Sequence, residues 1–294
     1  MQTPHRLVFF ANPGAREGRV ISRLRAVLKK MPVLAEQAET VCVRSHDEIR
    51  SALRQMRSDA IPVAVGGDGT INMLVRALRE ENMGARPVGV LPFGTGNAFA
   101  HAIGVGKIPR ALAALASQEV SSLDLMVTTH PEAPIALVSI STGFESKFLW
   151  HYANWRKWTP LGGGLLSFFR TSASTCKGIT LTCDDTPLVA AEERIYNAGL
   201  YNMPCYAFGR TVFPDANPAD GLAYAIACPS TWIYWKTLLK GFRQNQPAIA
   251  SSPRARNWHS AYIKTGGPVQ VDGEVIAGGA FHVRLEPKAL NVLV

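Results

Sequence analysis

No run of about 20 apolar residues occurs anywhere in the chain, which argues against a membrane-spanning helix and leaves only peripheral membrane contact. Cysteine is sparse. Cys42, Cys176, Cys183, Cys205 and Cys228 are odd in number, scattered and never in a CxxC spacing, so neither a disulfide framework nor a zinc site is supported. The apolar stretch near the N-terminus, Leu7 to Phe10, is too short for a signal peptide, and a reducing cytoplasm is the expected setting. Internal repeats and low-complexity tracts are missing. No Gly-Lys-Ser/Thr follows a glycine loop and no GxGxxG spacing occurs, which sets aside the Walker and dinucleotide fingerprints. Acidic residues are in the minority, 22 against 31 basic ones, and the resulting +9 favours anionic partners such as nucleotides, nucleic acid or an acidic membrane surface without choosing among them.

What is present is enough chain for two cores. With 294 residues, 47% of them hydrophobic, the sequence exceeds the usual single domain of roughly 100–200 residues. Residues 1–122 alternate short apolar runs with amphipathic helical segments, which predicts an α/β domain with a mostly parallel sheet. Strands are expected at Leu7 to Ala11, Val41 to Val43, Ile61 to Val65 and Pro87 to Leu91, with helices from Val20 to Lys30, Asp47 to Met56, Met73 to Arg79, through Phe99 and Ile103, and near Ala111 to Ala116. Residues 123–294 change to short alternating strands broken by Gly, Pro and Asp, for example 135–140, 179–183, 222–227, 269–271 and 281–285. That texture predicts a β-sandwich domain.

The most informative segment is Gly66-Gly67-Asp68-Gly69-Thr70-Ile71-Asn72, between a predicted strand and a predicted helix. The free N–H groups of a first helical turn favour an anion there, and the glycines let backbone approach a phosphate. Asp68 would repel a bare phosphate and so suggests a metal ion or a hydroxyl to be held. A second glycine loop, Pro92-Phe93-Gly94-Thr95-Gly96-Asn97, follows the fourth strand. Two loops at the carboxyl ends of strands in one sheet would face the same crevice.

Together with Asn12-Pro13, Leu123-Asp124, the stretch 213–222 (FPDANPADGL) and the stretch 269–283 (VQVDGEVIAGGAFHV), these loops resemble the diacylglycerol kinase catalytic-domain family, which includes bacterial lipid kinases and sphingosine kinases. The resemblance implies a nucleotide-binding α/β domain followed by a β-sandwich domain, with ATP in the cleft between them. It implies ATP contacts from Asn12, Gly66, Gly67, Asp68, Gly69, Thr70, Ile71, Asn72 and Thr95, and acidic groups at the reaction centre from Asp272 and Glu274, with Asp68 as a third catalytic candidate. It further implies Mg²⁺ as cofactor, with a structural ion near Asp220, the Leu222 carbonyl and Asn217. The implied partners are a lipid substrate and an anionic membrane surface, at the inner face of a cytoplasmic membrane, rather than nucleic acid; a homodimer stays open.

Two departures stand out. Many members carry Glu directly after the Asn of GGDGTxN, where this chain has Met73, and many bacterial members carry Asp after GTGN, where it has Ala98. The Asn-Ala pairing is more like sphingosine kinases. A soluble NAD kinase-like enzyme and a nucleotide-binding regulator with weak catalysis remain as alternatives. Asp272-Gly273 and Asp220-Gly221 also suit plain turns, and Asp124 suits a cap. The aromatic-basic segments 148–158 and 232–242 suit either a membrane interface or helices packed on the sandwich. His151 and His259 resemble ligands by type alone, and a lone histidine is usually structural.

Overall fold

The computed structural model describes residues 5–13, 18–36, 38–155, 163–172, 175–206, 210–211, 216–244 and 254–294. Two compact units emerge: one runs to Leu123 and takes in Lys288–Val294, and the other comprises Asp124–Tyr206 and Arg210–Pro287.

In the first unit the order is β1 (Leu7–Ala11), α1 (Val20–Leu28), α2 (Pro32–Glu36), β2 (Ala38–Cys42), α3 (His46–Gln55), β3 (Ile61–Gly66), α4 (Asp68–Glu80), β4 (Gly89–Pro92), α5 (Ala98–Ala102) and α6 (Ile108–Ser117). The strands form one parallel sheet in the order β2-β1-β3-β4. β1, β3 and β4 are buried at every position, the continuous apolar pattern of a sheet covered on both faces. The edge strand β2 alternates more polar residues and stays partly exposed. Ser45 caps the N-terminus of α3: its hydroxyl accepts from the Glu48 N–H at 3.2 Å, while the Glu48 carboxylate takes the Arg44 N–H at 2.7 Å. α4 begins at Asp68, five residues before the expected start at Met73, because Gly67 already serves as its N-cap in extended geometry.

The chain crosses to the second unit within β5 (Val120–Thr128). There follow β6 (Ile135–Ala136), β7 (Ser139–Gly143), α7 (Phe144–Trp155), α8 (Gly163–Thr171), β8 (Thr180–Cys183), β9 (Thr186–Val189), β10 (Asn197–Tyr201), β11 (Cys205–Tyr206) and β12 (Arg210–Thr211). The remainder is β13 (Ala223–Cys228), α9 (Thr231–Gln244), β14 (Ala255–Trp258), β15 (Ser260–Thr265), β16 (Val269–Val271), β17 (Glu274–Ile276) and β18 (Gly279–Leu293). Two six-stranded sheets form, β14-β13-β10-β7-β16-β17 and β6-β5-β18-β15-β8-β9.

Ile140, Leu200 and Val269 from the first of these sheets share one buried cluster with Leu181, Ile263, Phe281 and Val283 from the second. The C-terminal unit is therefore a sandwich. The opposite face of the first sheet carries a second cluster. Phe144, Tyr196, Tyr201, Tyr224 and Tyr234 pack there with Phe148, Phe168 and Trp235, so that α7, α8 and α9 lie over it. Among the described residues no helix is long and apolar enough to cross a membrane.

Candidate active site

The two glycine loops of the first unit lock together through backbone. The Gly66 carbonyl, at the end of β3, accepts from Phe93 N at 2.8 Å and Gly94 N at 2.9 Å. Gly67 and Gly94 approach so closely that a Cβ on Gly94 would lie 2.3 Å from the Gly67 Cα, so the contact requires glycine. A Cβ on Gly66 would lie 2.3 Å from the Thr70 hydroxyl, which packs beneath the loop. The Asp68 carboxylate braces the same pair from the other side. Its Oδ2 accepts from Ala98 N and its Oδ1 from Phe99 N, both at 3.0 Å, so it caps α5. Burial pushes the Asp68 carboxyl above the usual range, and the two N–H donors offset that only in part.

Asn97 completes the second loop in the left-handed region, at φ 48°, a conformation that Asn tolerates well. Its Nδ2 donates to the Gly94 carbonyl at 3.0 Å, and its Oδ1 is buried with no partner among the described residues. Thr95 stands exposed at the tip, Gly69 and Asn72 are half-buried on α4, and Asn12 is half-buried just after β1. Ile71 points into the core, 1% exposed. The Asp68 and Gly69 N–H groups open α4, where a helix supplies no acceptor of its own. Bare backbone, polar side chains and a helix start make a surface suited to a polyphosphate.

In the second unit, Asp272-Gly273 forms the two-residue loop of the β16–β17 hairpin, with Val271 paired to Glu274 and φ of 50° and 91°. Both positive angles identify a type I′ turn. The two acids of this motif have different surroundings. Asp272 accepts from Leu137 N, Val138 N and Ser139 N at 2.8, 2.8 and 3.1 Å, and its own N–H donates to the Ser139 carbonyl at 3.0 Å. Gln270 extends the brace, donating to the Ser139 hydroxyl and accepting from Gly273 N, both at 2.8 Å. Glu274, two residues on, is exposed on β17.

The turn 217–222 gathers the three residues expected at a metal. Asp220 Oδ1 accepts from Leu222 N at 2.9 Å, and Asn217 Oδ1 accepts from Ala219 N at 3.1 Å. Beneath them Asp124, 1% exposed, accepts from Gly221 N at 2.7 Å, and its own N–H donates to the Pro218 carbonyl at 2.6 Å. Carboxylate, amide and carbonyl oxygens in one short turn are the donor set a hard cation takes. Among the described residues no three or more His, Cys, Asp or Glu side chains are grouped so as to hold a metal ion by themselves. Residues 213–215 and 156–158 lie outside the described residues.

Sequence reasoning missed two features: the cross-loop role of Asp68, and Glu145. Glu145, 5% exposed, takes hydroxyl donors from Ser141, Tyr201 and Tyr234 beneath the aromatic cluster, and neither its place in the sequence nor its flanking residues announced a buried acid. The histidines divide. His259 lies 3.5 Å from Asp184 in an exposed pair, and His151 sits on α7 among cations. Burial pushes the Cys183 and Cys228 thiols up to about 12, as expected of inert core residues.

Residues 6–128 match the diacylglycerol kinase catalytic domain. A protein of Pseudomonas aeruginosa (strain UCBPP-PA14) named "Probable lipid kinase YegS-like" is 28% identical over 237 residues, covering 78% of this chain and 75% of its own. One of the same name from Enterobacter sp. (strain 638) is 26% identical over 242 residues, covering 78% and 76%. The crystal structure of a diacylglycerol kinase from Bacillus anthracis str. Sterne superposes with a TM-score of 0.74 at 20% identity, covering 100% of this chain and 98% of that one, and so shares the fold.

Proposed function

We propose that the protein, whose residues 6–128 match the diacylglycerol kinase catalytic domain, is an ATP- and Mg²⁺-dependent lipid kinase. It transfers the γ-phosphate to the hydroxyl of a diacylglycerol-like or sphingoid-base-like lipid, working at an anionic membrane surface of the cytoplasm. The carrying observation is the interlocked pair of glycine loops, in which Gly66, Gly67 and Gly94 remove side chains from a helix start. Phosphoryl transfer is mainly a problem of positioning and charge, and fixed backbone donors meet it without reorganising.

In this reading the α4 start and Thr95 bind the phosphates, and Asn12 and Asn72 flank them. Asp68 keeps both loops in register through Ala98 and Phe99. Asp272 is the positioning residue of its turn, because three N–H donors already engage it, and exposed Glu274 receives the proton of the lipid hydroxyl. Asp220, Asn217 and the Leu222 carbonyl would hold a structural Mg²⁺, which would tie the 217–222 turn together. Transfer of labelled γ-phosphate from Mg-ATP to mixed micelles of diacylglycerol, monoacylglycerol, phosphatidylglycerol, sphingosine or ceramide, with NAD as the soluble acceptor, tests the reading. One labelled organic-phase product is expected; label only in NADP, or none with ATP binding intact, would overturn it.

A further inference from the structure

A cavity of about 600 Å³ opens in the second unit, lined by Lys147, Trp150, His151, Arg170, Thr171 and Pro268. None of these residues belongs to the glycine loops or to the 217–222 and 272–274 turns. Lys147 and His151 are four apart on α7 and share one face, while Arg170 and Thr171 come from the last turn of α8. Neither Lys147 nor Arg170 makes an ion pair with a described residue. Their charges, after burial itself, hold His151 below its usual range. A pocket with two cations that pair with no described carboxylate favours an anion, and a cavity of this size admits a phosphate ester headgroup.

The rim supplies the second half of the argument. Trp150 is 50% exposed, Leu166 49% and Phe169 67%, although their neighbours Phe144, Phe148 and Phe168 are packed inward. Large apolar side chains left outside a cation-lined pocket match the two layers of an anionic bilayer surface, acyl boundary and phosphate. A soluble phosphate ester would use the cations and leave the rim idle.

We propose that the α7–α8 pocket binds the phosphate of an anionic phospholipid headgroup through Lys147 and Arg170, with Trp150, Leu166 and Phe169 inserted among the surrounding lipids. This rests on the reading that the protein acts at an anionic membrane surface. It adds a headgroup site that needs neither ATP nor turnover.

Vesicle co-sedimentation of the full chain without nucleotide provides the test, using phosphatidylcholine vesicles with and without phosphatidylglycerol. Wild type should bind only the anionic vesicles. The double variant Lys147→Gln/Arg170→Gln should bind about thirtyfold more weakly, as expected for two basic residues at such a surface. Lys177→Gln/Lys264→Gln removes the same charge from two exposed positions of the same unit and should change binding less than about threefold. Phe169→Ser, on an exposed side chain, should weaken binding while leaving the thermal transition in place. Equal losses in the two charge pairs would reduce the effect to net charge and overturn the pocket alone. No binding by wild type would overturn the pocket together with the membrane reading. Competition by soluble glycerol 3-phosphate as strong as that by vesicle lipid, with Phe169→Ser unaffected, would assign the pocket to a soluble ester instead.

Discussion

Gly67 and Gly94 meet backbone to backbone, and a Cβ on Gly94 would lie 2.3 Å from the Gly67 Cα and 2.5 Å from the Asn97 Oδ1. Gly94→Ala must therefore push two main-chain segments apart. We expect a loss of about 1–3 kcal/mol, the usual cost of overpacking, together with weaker ATP binding. Gly84→Ala is the control: its Cβ would meet nothing nearer than the Arg79 Cγ at 3.5 Å, and its effect should stay within about 0.5 kcal/mol. Thermal melts with and without ATP separate the two outcomes; equal melting temperatures for both variants would refute the interlock.

Asp68 accepts one N–H on each carboxylate oxygen. Asp68→Ala leaves the Ala98 and Phe99 donors without their cap and should cost about 1–3 kcal/mol as well as activity. Asp68→Asn is not a rescue, since only one of its two terminal atoms can accept and the amide nitrogen would face a donor. Asp68→Asn should therefore fall closer to Ala than to wild type in both melting temperature and kcat. An Asn variant as stable as wild type would show that the brace matters little.

The two acids of the 272–274 turn should separate by readout. Asp272→Ala frees three backbone donors at Leu137, Val138 and Ser139, so it should lower stability first and activity in consequence. Glu274→Gln alters an exposed side chain on β17 and should leave the melt within about 0.5 kcal/mol while lowering kcat by about 10²–10⁴-fold. If Glu274→Gln keeps its kcat, the proton acceptor lies elsewhere.

Much of this arrangement was legible in the chain. Continuous apolar runs at Leu7–Ala11 and Ile61–Gly66 and the change to short strands after residue 123 announced a parallel sheet and then a sandwich, as observed. Asp272-Gly273 was legible as a turn because positive φ at two successive positions selects that pair. What escaped was long-range. Asp68 reaches α5 across a sequence separation of about thirty residues, and the three hydroxyls on Glu145 come from β7, β10 and α9. The aromatic segments resisted for a related reason: Phe148 and Trp235 pack inward while Trp150 and Trp232 face out, and helical spacing alone does not say which side is covered.

The α3–α4 contact gives a pH dependence of known sign. Glu81, just after α4, accepts from Arg54 Nε and Nη2 at 2.7 and 2.8 Å and from Arg50 Nε at 2.7 Å. The Arg54 guanidinium, and after it Arg50, hold its carboxyl down to about 2 from a usual 4.5. A carboxylate with a depressed folded value stabilises the native state above its unfolded value and loses that contribution as pH falls through the folded one. The contribution should therefore be whole above pH 4.5 and fade between pH 4.5 and about 2. Glu81→Gln should melt below wild type from pH 7 to about 5, and the gap should close as acid protonates Glu81 in the parent. Added salt should narrow the gap at neutral pH, because the arginines are partly exposed and screened. A gap that widens toward acid, or one indifferent to pH, would show that Glu81 acts through packing instead of charge.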